Sequence, residues 1–99
     1  MARQLPLPTE SAPRVTNLQE LGELVRNARA WAQLRIDDAA AVSGVSSDLL
    51  SRLEHGRPVT SDKLLAVLSS LGLAVLMVDH VRASQIERFL ATQHAPEIG

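Results

Sequence analysis

The sequence predicts an all-α domain of four to five short helices followed by one C-terminal β-strand. Three observations carry that expectation. Through residues 17–72 apolar residues recur at three- and four-residue steps, the spacing that gathers them on one face of a helix. Gly44, Gly56 and Gly72 stand where helical stretches would stop. Beyond Gly72 the pattern changes. Leu73-Ala74-Val75-Leu76-Met77-Val78 is short, unbroken and partly β-branched, which reads as a strand.

Residues 1–16 contain Pro6, Pro8 and Pro13 with few regularly spaced apolar groups, and are expected to form a flexible arm. The first helix begins near Asn17, which makes a capping-box-like pair with Glu20. Its stripe is Leu18, Leu21, Val25, Ala28 and Ala32, with Arg26 and Arg29 off the stripe and Trp31 at a core edge. A second helix runs from Ile36 to Ser43. Asp37 and Asp38 lie in its first turn, where the helix dipole favours anions. Ser46 is a natural N-cap for a third helix over residues 47–55. On that helix Leu49, Leu50 and Leu53 point inward, whereas Ser47, Asp48, Ser51 and Arg52 face elsewhere. Thr60 or Ser61 caps a fourth helix with a stripe of Leu64, Val67, Leu68 and Leu71.

No second strand candidate accompanies residues 73–78. A lone strand leaves backbone donors and acceptors unpaired, which is costly when its side chains are apolar on both faces. The expected solution is pairing with the same strand of a second copy across a two-fold axis. Leu73, Val75, Leu76, Met77 and Val78 would then form the dimer interface. The alternative is that the segment extends the fourth helix. After Asp79, Ile86, Phe89 and Leu90 have the spacing of a short amphipathic helix. The expected units are thus an arm (1–16), a helical domain (17–72), a dimerisation strand with a short helix (73–92) and a flexible tail (93–99).

The chain has 99 residues, 45% of them hydrophobic and 21% charged, which suits one globular domain with tails. With no cysteine there is no disulfide framework. No run approaches a membrane helix, and no signal-peptide core opens the sequence, so a soluble cytoplasmic protein is expected. Catalysis is not. His55, His80 and His94 lack metal-ligand spacing, the serines near Gly44 lack a nucleophile-elbow context, and no glycine-rich phosphate loop occurs. No catalytic residue, metal or cofactor is expected.

The stretch from Ala39 to Glu54 reads as two short helices joined by a tight turn at Gly44. Ala40 lies four positions before that glycine and Leu50 six after it. A small side chain at that contact lets the two helices cross closely. This is the arrangement of the helix-turn-helix, which pushes its second helix into the major groove of a DNA duplex. The formal net charge of -1 implies a weak overall field. Even so, Arg26, Arg29, Arg35, Arg52, Arg57 and Lys63 gather mid-chain, accompanied by Glu20, Glu23, Asp37, Asp38 and Asp62. Arg35, Ser46, His55 and Arg57 fall at helix ends or in the following loop, where they are candidates for phosphate contacts.

The residues Val25-Arg26-Asn27-Ala28-Arg29, Ala40, Ser43-Gly44-Val45-Ser46 and Leu50-Ser51-Arg52-Leu53-Glu54-His55-Gly56-Arg57 together resemble the Xre, lambda-repressor-like helix-turn-helix family. The resemblance covers a little over half the chain. The run from Lys63 into the apolar segment is similar to the HipB-type antitoxins within it. That likeness implies a dimer with an intermolecular strand pair, repression of its own operon and binding of a kinase-like toxin. It also implies base contacts at Ser47, Asp48, Ser51 and Arg52. Arg52 would suit guanine O6 and N7, and Asp48 cytosine N4. An Arg29–Glu54 pair would tie the recognition helix to the scaffold. Two positions depart from the family pattern. Where the family often has Thr or Ser and then Gln, this chain has Arg35 and Ile36, and where it often has Leu, this chain has Ala39. The reading is a repressor on a pseudo-palindromic duplex operator, of the antitoxin type. Two alternatives stay open: a protein-interaction module on the same fold, and a phage-repressor-like regulator with no toxin partner.

Overall fold

The computed structural model describes residues 13–93. They form five helices: α1 (Leu18–Trp31), α2 (Ile36–Ser43), α3 (Ser47–Glu54), α4 (Ser61–Ser70) and α5 (His80–Gln93). Residues 1–12 of the expected arm and 94–99 of the expected tail, His94 included, lie outside the described residues.

Local chemistry sets the first helix starts. Asn17 Oδ1 accepts the Glu20 amide at 2.8 Å, and Glu20 Oε1 accepts from the Thr16 amide at 2.7 Å and the Thr16 hydroxyl at 2.8 Å. The return bond of the capping box thus lands one residue earlier than expected. Ser46 Oγ accepts the Leu49 amide at 3.0 Å and starts α3. At α4 the Thr60 side chain makes no cap bond and bonds the Asp62 carboxylate instead.

Gly44 closes α2 at φ 72 and ψ 28, with the Val45 amide bonded to Ala40 O at 3.0 Å. A left-handed residue there satisfies a terminal carbonyl and reverses the chain in one step. The same closure ends α1, but on a side chain that pays a steric cost: Gln33 has φ 56, and the Leu34 amide bonds Arg29 O at 3.2 Å.

The core is Val25, Ala39, Ala40, Leu50, Leu53, Val67 and Leu68. Helix α3 packs on both α1 and α2, and α4 packs on α2. Ala39 and Ala40 are both buried, as close crossing of α2 and α3 requires. The buried face of α1 is Gly22, Val25, Arg29 and Ala30, rotated from the expected stripe. Gly22 is the reason. A Cβ there would fall 2.5 Å from Leu53 O and 2.7 Å from Glu54 O, so the helices touch backbone to backbone at a position with no side chain. Leu18 and Ala32 are left exposed. Trp31, expected at a core edge, is 70% exposed.

The C-terminal part departs furthest from expectation. Helix α4 stops at Ser70, so residues 73–78 do not extend it. No strand forms among the described residues, and residues 73–78 lie outside every helix. A strand exists through its ladder, and the described residues supply no second strand to make one. Leu73, expected at a dimer interface, instead packs against the chain's own core. Val75, Leu76, Met77 and Val78 are exposed. Helix α5 is long, and none of its residues is buried. Its half-buried residues are Ala83, Ile86, Glu87 and Leu90, and Phe89 points away.

Residues 13–16 do not behave as an arm. The Arg14 guanidinium forks onto Glu87, Nη2 to Oε1 at 2.7 Å and Nε to Oε2 at 3.1 Å. It also donates to Ser84 Oγ at 3.3 Å and lies 3.3 Å from His80 Nδ1. One arginine therefore fastens the chain ahead of α1 to α5.

Candidate nucleic-acid interface

A second Arg–Glu fork fixes the angle at which α3 is presented. Arg29 on α1 donates to Glu54 at the end of α3, Nε to Oε2 at 2.6 Å and Nη2 to Oε1 at 2.8 Å. Its Nη1 donates to Leu34 O at 3.1 Å in the α1–α2 connection. Only 9% of the arginine side chain and 5% of the glutamate side chain is exposed. One guanidinium thus ties together α1, α3 and the loop entering α2. The expected pair is present, and its burial makes it part of the scaffold.

Above this pair lies an open cleft of about 850 Å³. Three helices line it. Helix α3 and its C-cap contribute Ser47, Asp48, Ser51 and His55, the N-cap and start of α2 contribute Arg35, Ile36 and Asp37, and α1 contributes Gln19, Glu23 and Arg26. The structure therefore gathers Arg35, Ser47, Asp48, Ser51 and His55 on one surface, as the sequence predicts. Arg52 is exposed beside it and lies 3.5 Å from Asp48 across one helical turn. Arg57 is exposed in the loop after α3 and does not line the cleft. Ser46 Oγ accepts the α3 cap bond, which leaves its hydroxyl proton to donate.

The polar groups are partly pre-arranged. Ser47 Oγ donates to Asp37 Oδ1 at 2.9 Å, linking the first turns of α2 and α3. With its proton engaged, Ser47 Oγ can serve a ligand only as an acceptor. The His55 ring nitrogen Nδ1 lies 2.7 Å from Ser51 O, which leaves Nε2 at the cleft. Arg35, the N-cap of α2, makes no side-chain cap bond. Its guanidinium makes no hydrogen bond or ion pair among the described residues, which suits it to a phosphate oxygen.

Two features of the cleft lie outside the expected set. Asp37, expected only to favour the α2 dipole, also positions Ser47. Gln19, Glu23 and Arg26 put α1 on the same surface; their i, i+4, i+7 spacing was the signal for it. No helix of the described residues is long and apolar enough to cross a membrane.

Comparison with known proteins agrees with this geometry. A family model described as a helix-turn-helix domain matches residues 20–88. The chain is also 37% identical, over 65 residues, to an uncharacterized HTH-type transcriptional regulator, y4mF, of Sinorhizobium fredii; the match spans 65% of this chain and 86% of that protein. With its turn at Gly44, its buried Arg29–Glu54 fork and a family match from α1 into α5, the chain belongs to the helix-turn-helix domain family.

Proposed function

We propose that this protein is a sequence-specific DNA-binding transcriptional regulator that acts as a repressor. One observation carries the reading: the outward polar face of α3 opens onto the same cleft as the uncapped start of α2. Helix α3 enters the major groove with Ser47, Asp48, Ser51 and Arg52 toward base edges. Arg35, Ser46, His55 and Arg57 take the flanking phosphates. The Asp48–Arg52 pair separates on binding, Arg52 turning to a guanine edge. Arg52→Ala is expected to weaken specific binding by about 1–3 kcal/mol and to relax one base position. A binding-site selection that returned the same motif for variant and parent would remove Arg52 from the readers.

The active form is a homodimer on a pseudo-palindromic operator, with half-sites about 34 Å apart. Support comes from residues 74–78, whose amides make no backbone hydrogen bond among the described residues and which include Met77 at 95% exposure. Pairing with a second copy satisfies both the amides and the apolar side chains. Val75→Pro removes a ladder donor, and a dimer that sedimented unchanged after it would defeat the strand pairing. The HipB-type likeness extends the reading to a cytoplasmic antitoxin that represses its own operon and holds a kinase-like toxin. Co-purification with the product of the adjacent reading frame tests that step.

A protein-interaction module is the second reading, favoured by the carboxylates of Glu23, Asp37 and Asp48 on the cleft. Titration with a labelled duplex near 50 mM salt separates the two, since counterion release makes even non-specific binding strong there.

A further inference from the structure

The polar side of α1 is unassigned by the reading above. Gly22 and Arg29 mark where α1 meets α3, the first by backbone contact and the second by its fork to Glu54. At 3.6 residues per turn, Arg26 sits about 40° round the helix from Gly22. That places it at the rim of the α1–α3 contact rather than within it. It is accordingly exposed and lines the cleft.

The charges around it are unequally engaged. The Arg29 charge is met by Glu54, and the Arg52 charge faces Asp48. Among the described residues the Arg26 side chain makes no hydrogen bond or ion pair, and neither does that of Arg35 across the cleft. Two uncommitted guanidiniums thus flank the outward face of α3, one from α1 and one from α2. Guanidinium groups present planar forks that match phosphate oxygens.

We infer that Arg26 is a DNA phosphate-contact residue, which with Arg35 clamps the duplex backbone on either side of α3. The inference rests on the DNA-binding reading and adds α1 as a third contacting element. Such a contact positions the duplex without reading it, so its loss weakens all sequences alike. Its signature is the salt dependence of affinity.

The test compares the full chain with Arg26→Gln, Arg26→Lys and, as a charge control away from the cleft, Arg88→Gln. Affinity for the selected operator and for a scrambled duplex is measured from about 50 to 200 mM salt. In Arg26→Gln the slope of log affinity against log salt should become shallower by about 0.9 per bound subunit, with the operator-to-scrambled ratio unchanged. Arg26→Lys should restore most of the slope, and Arg88→Gln should leave it as in the parent. If the parent binds and the Arg26→Gln slope equals the parent's, the inference is overturned while the DNA-binding reading stands. A loss confined to one operator base would also overturn it. A parent that bound no duplex would overturn both.

Discussion

Two arginine–glutamate forks of nearly the same geometry tie distant parts of this chain together. Arg29 grips Glu54 at 2.6 and 2.8 Å, and Arg14 grips Glu87 at 2.7 and 3.1 Å. Their surroundings differ. The first pair is almost wholly buried, with side chains 9% and 5% exposed, and adds a bond to Leu34 O. The second is a third exposed, at 30% and 35%. Beneath the first lie Val25, Leu50, Leu53 and Val67, all fully buried, whereas the helix held by the second buries no residue. A fork therefore contributes according to what surrounds it. In the α1–α4 domain it is the charged pair set into a packed core. At α5 it is the main specific contact, and water competes for both partners.

The largest effect should come from breaking the buried fork. Glu54→Ala strands the Arg29 guanidinium in the core and is expected to cost about 3–5 kcal/mol, a large share of the roughly 5–15 kcal/mol typical of such domains. Urea unfolding measures it. Replacing both partners, as Arg29→Met with Glu54→Leu, should recover most of that loss. A double variant no more stable than Glu54→Ala would show that the fork supplies net stability and not only the absence of an unpaired charge. Such a variant should also mis-set α3, so its operator affinity should fall even where stability returns.

Next in size is Gly22→Ala. The added methyl meets Leu53 O at 2.5 Å and Glu54 O at 2.7 Å, both backbone atoms. Overpacking of about 1–3 kcal/mol should outweigh the gain in helix propensity, which is at most about 1 kcal/mol. A stabilised variant would mean that α1 can slide away from α3 without loss.

These two positions also show what the sequence made legible. Gly44, Ser46 and the Arg29–Glu54 pair act through local backbone geometry or a family pattern, and each appears where it was expected. The role of Gly22 is not legible locally because it depends on Leu53 and Glu54 far along the chain, although a mid-helix glycine costs about 1 kcal/mol and so calls for a packing reason. The same non-local origin hid the cleft face of α1 and the reach of Arg14 across 73 residues. Trp31 ends α1 outside the core edge expected for it, because the face that α1 buries runs through Gly22, Val25, Arg29 and Ala30. Residues 73–78 have the composition of a strand, yet the ladder that would make them one needs a partner that the described residues do not supply.

A smaller effect of opposite sign is expected at the end of α1. Gln33 holds φ 56, where a side chain is strained and glycine is not. Gln33→Gly should stabilise the domain by about 0.5–1 kcal/mol in thermal unfolding. A destabilised variant would mean that the Gln33 side chain makes a compensating contact.

The exposed fork should move global stability least and local order most. The hydrogen bond from Arg14, aided by its charge, holds the Glu87 carboxyl below its ordinary value of 4.5. A carboxyl whose value is lower in the folded chain stabilises the fold above the unfolded value, and that contribution is lost as pH falls through the folded one. The link is therefore complete at neutral pH and weakens once pH drops below 4.5. Amide-exchange protection of α5 should then fall toward that of Glu87→Gln at neutral pH. Glu20 is lowered in the same direction by its bonds from Thr16, so the first turn of α1 should loosen in the same window. In Glu87→Gln the protection of α1 to α4 at neutral pH should match the parent's. If α5 kept its protection in that variant, its hold would lie in the half-buried stripe of Ala83, Ile86 and Leu90, and the contrast between the two forks would reduce to one of burial alone.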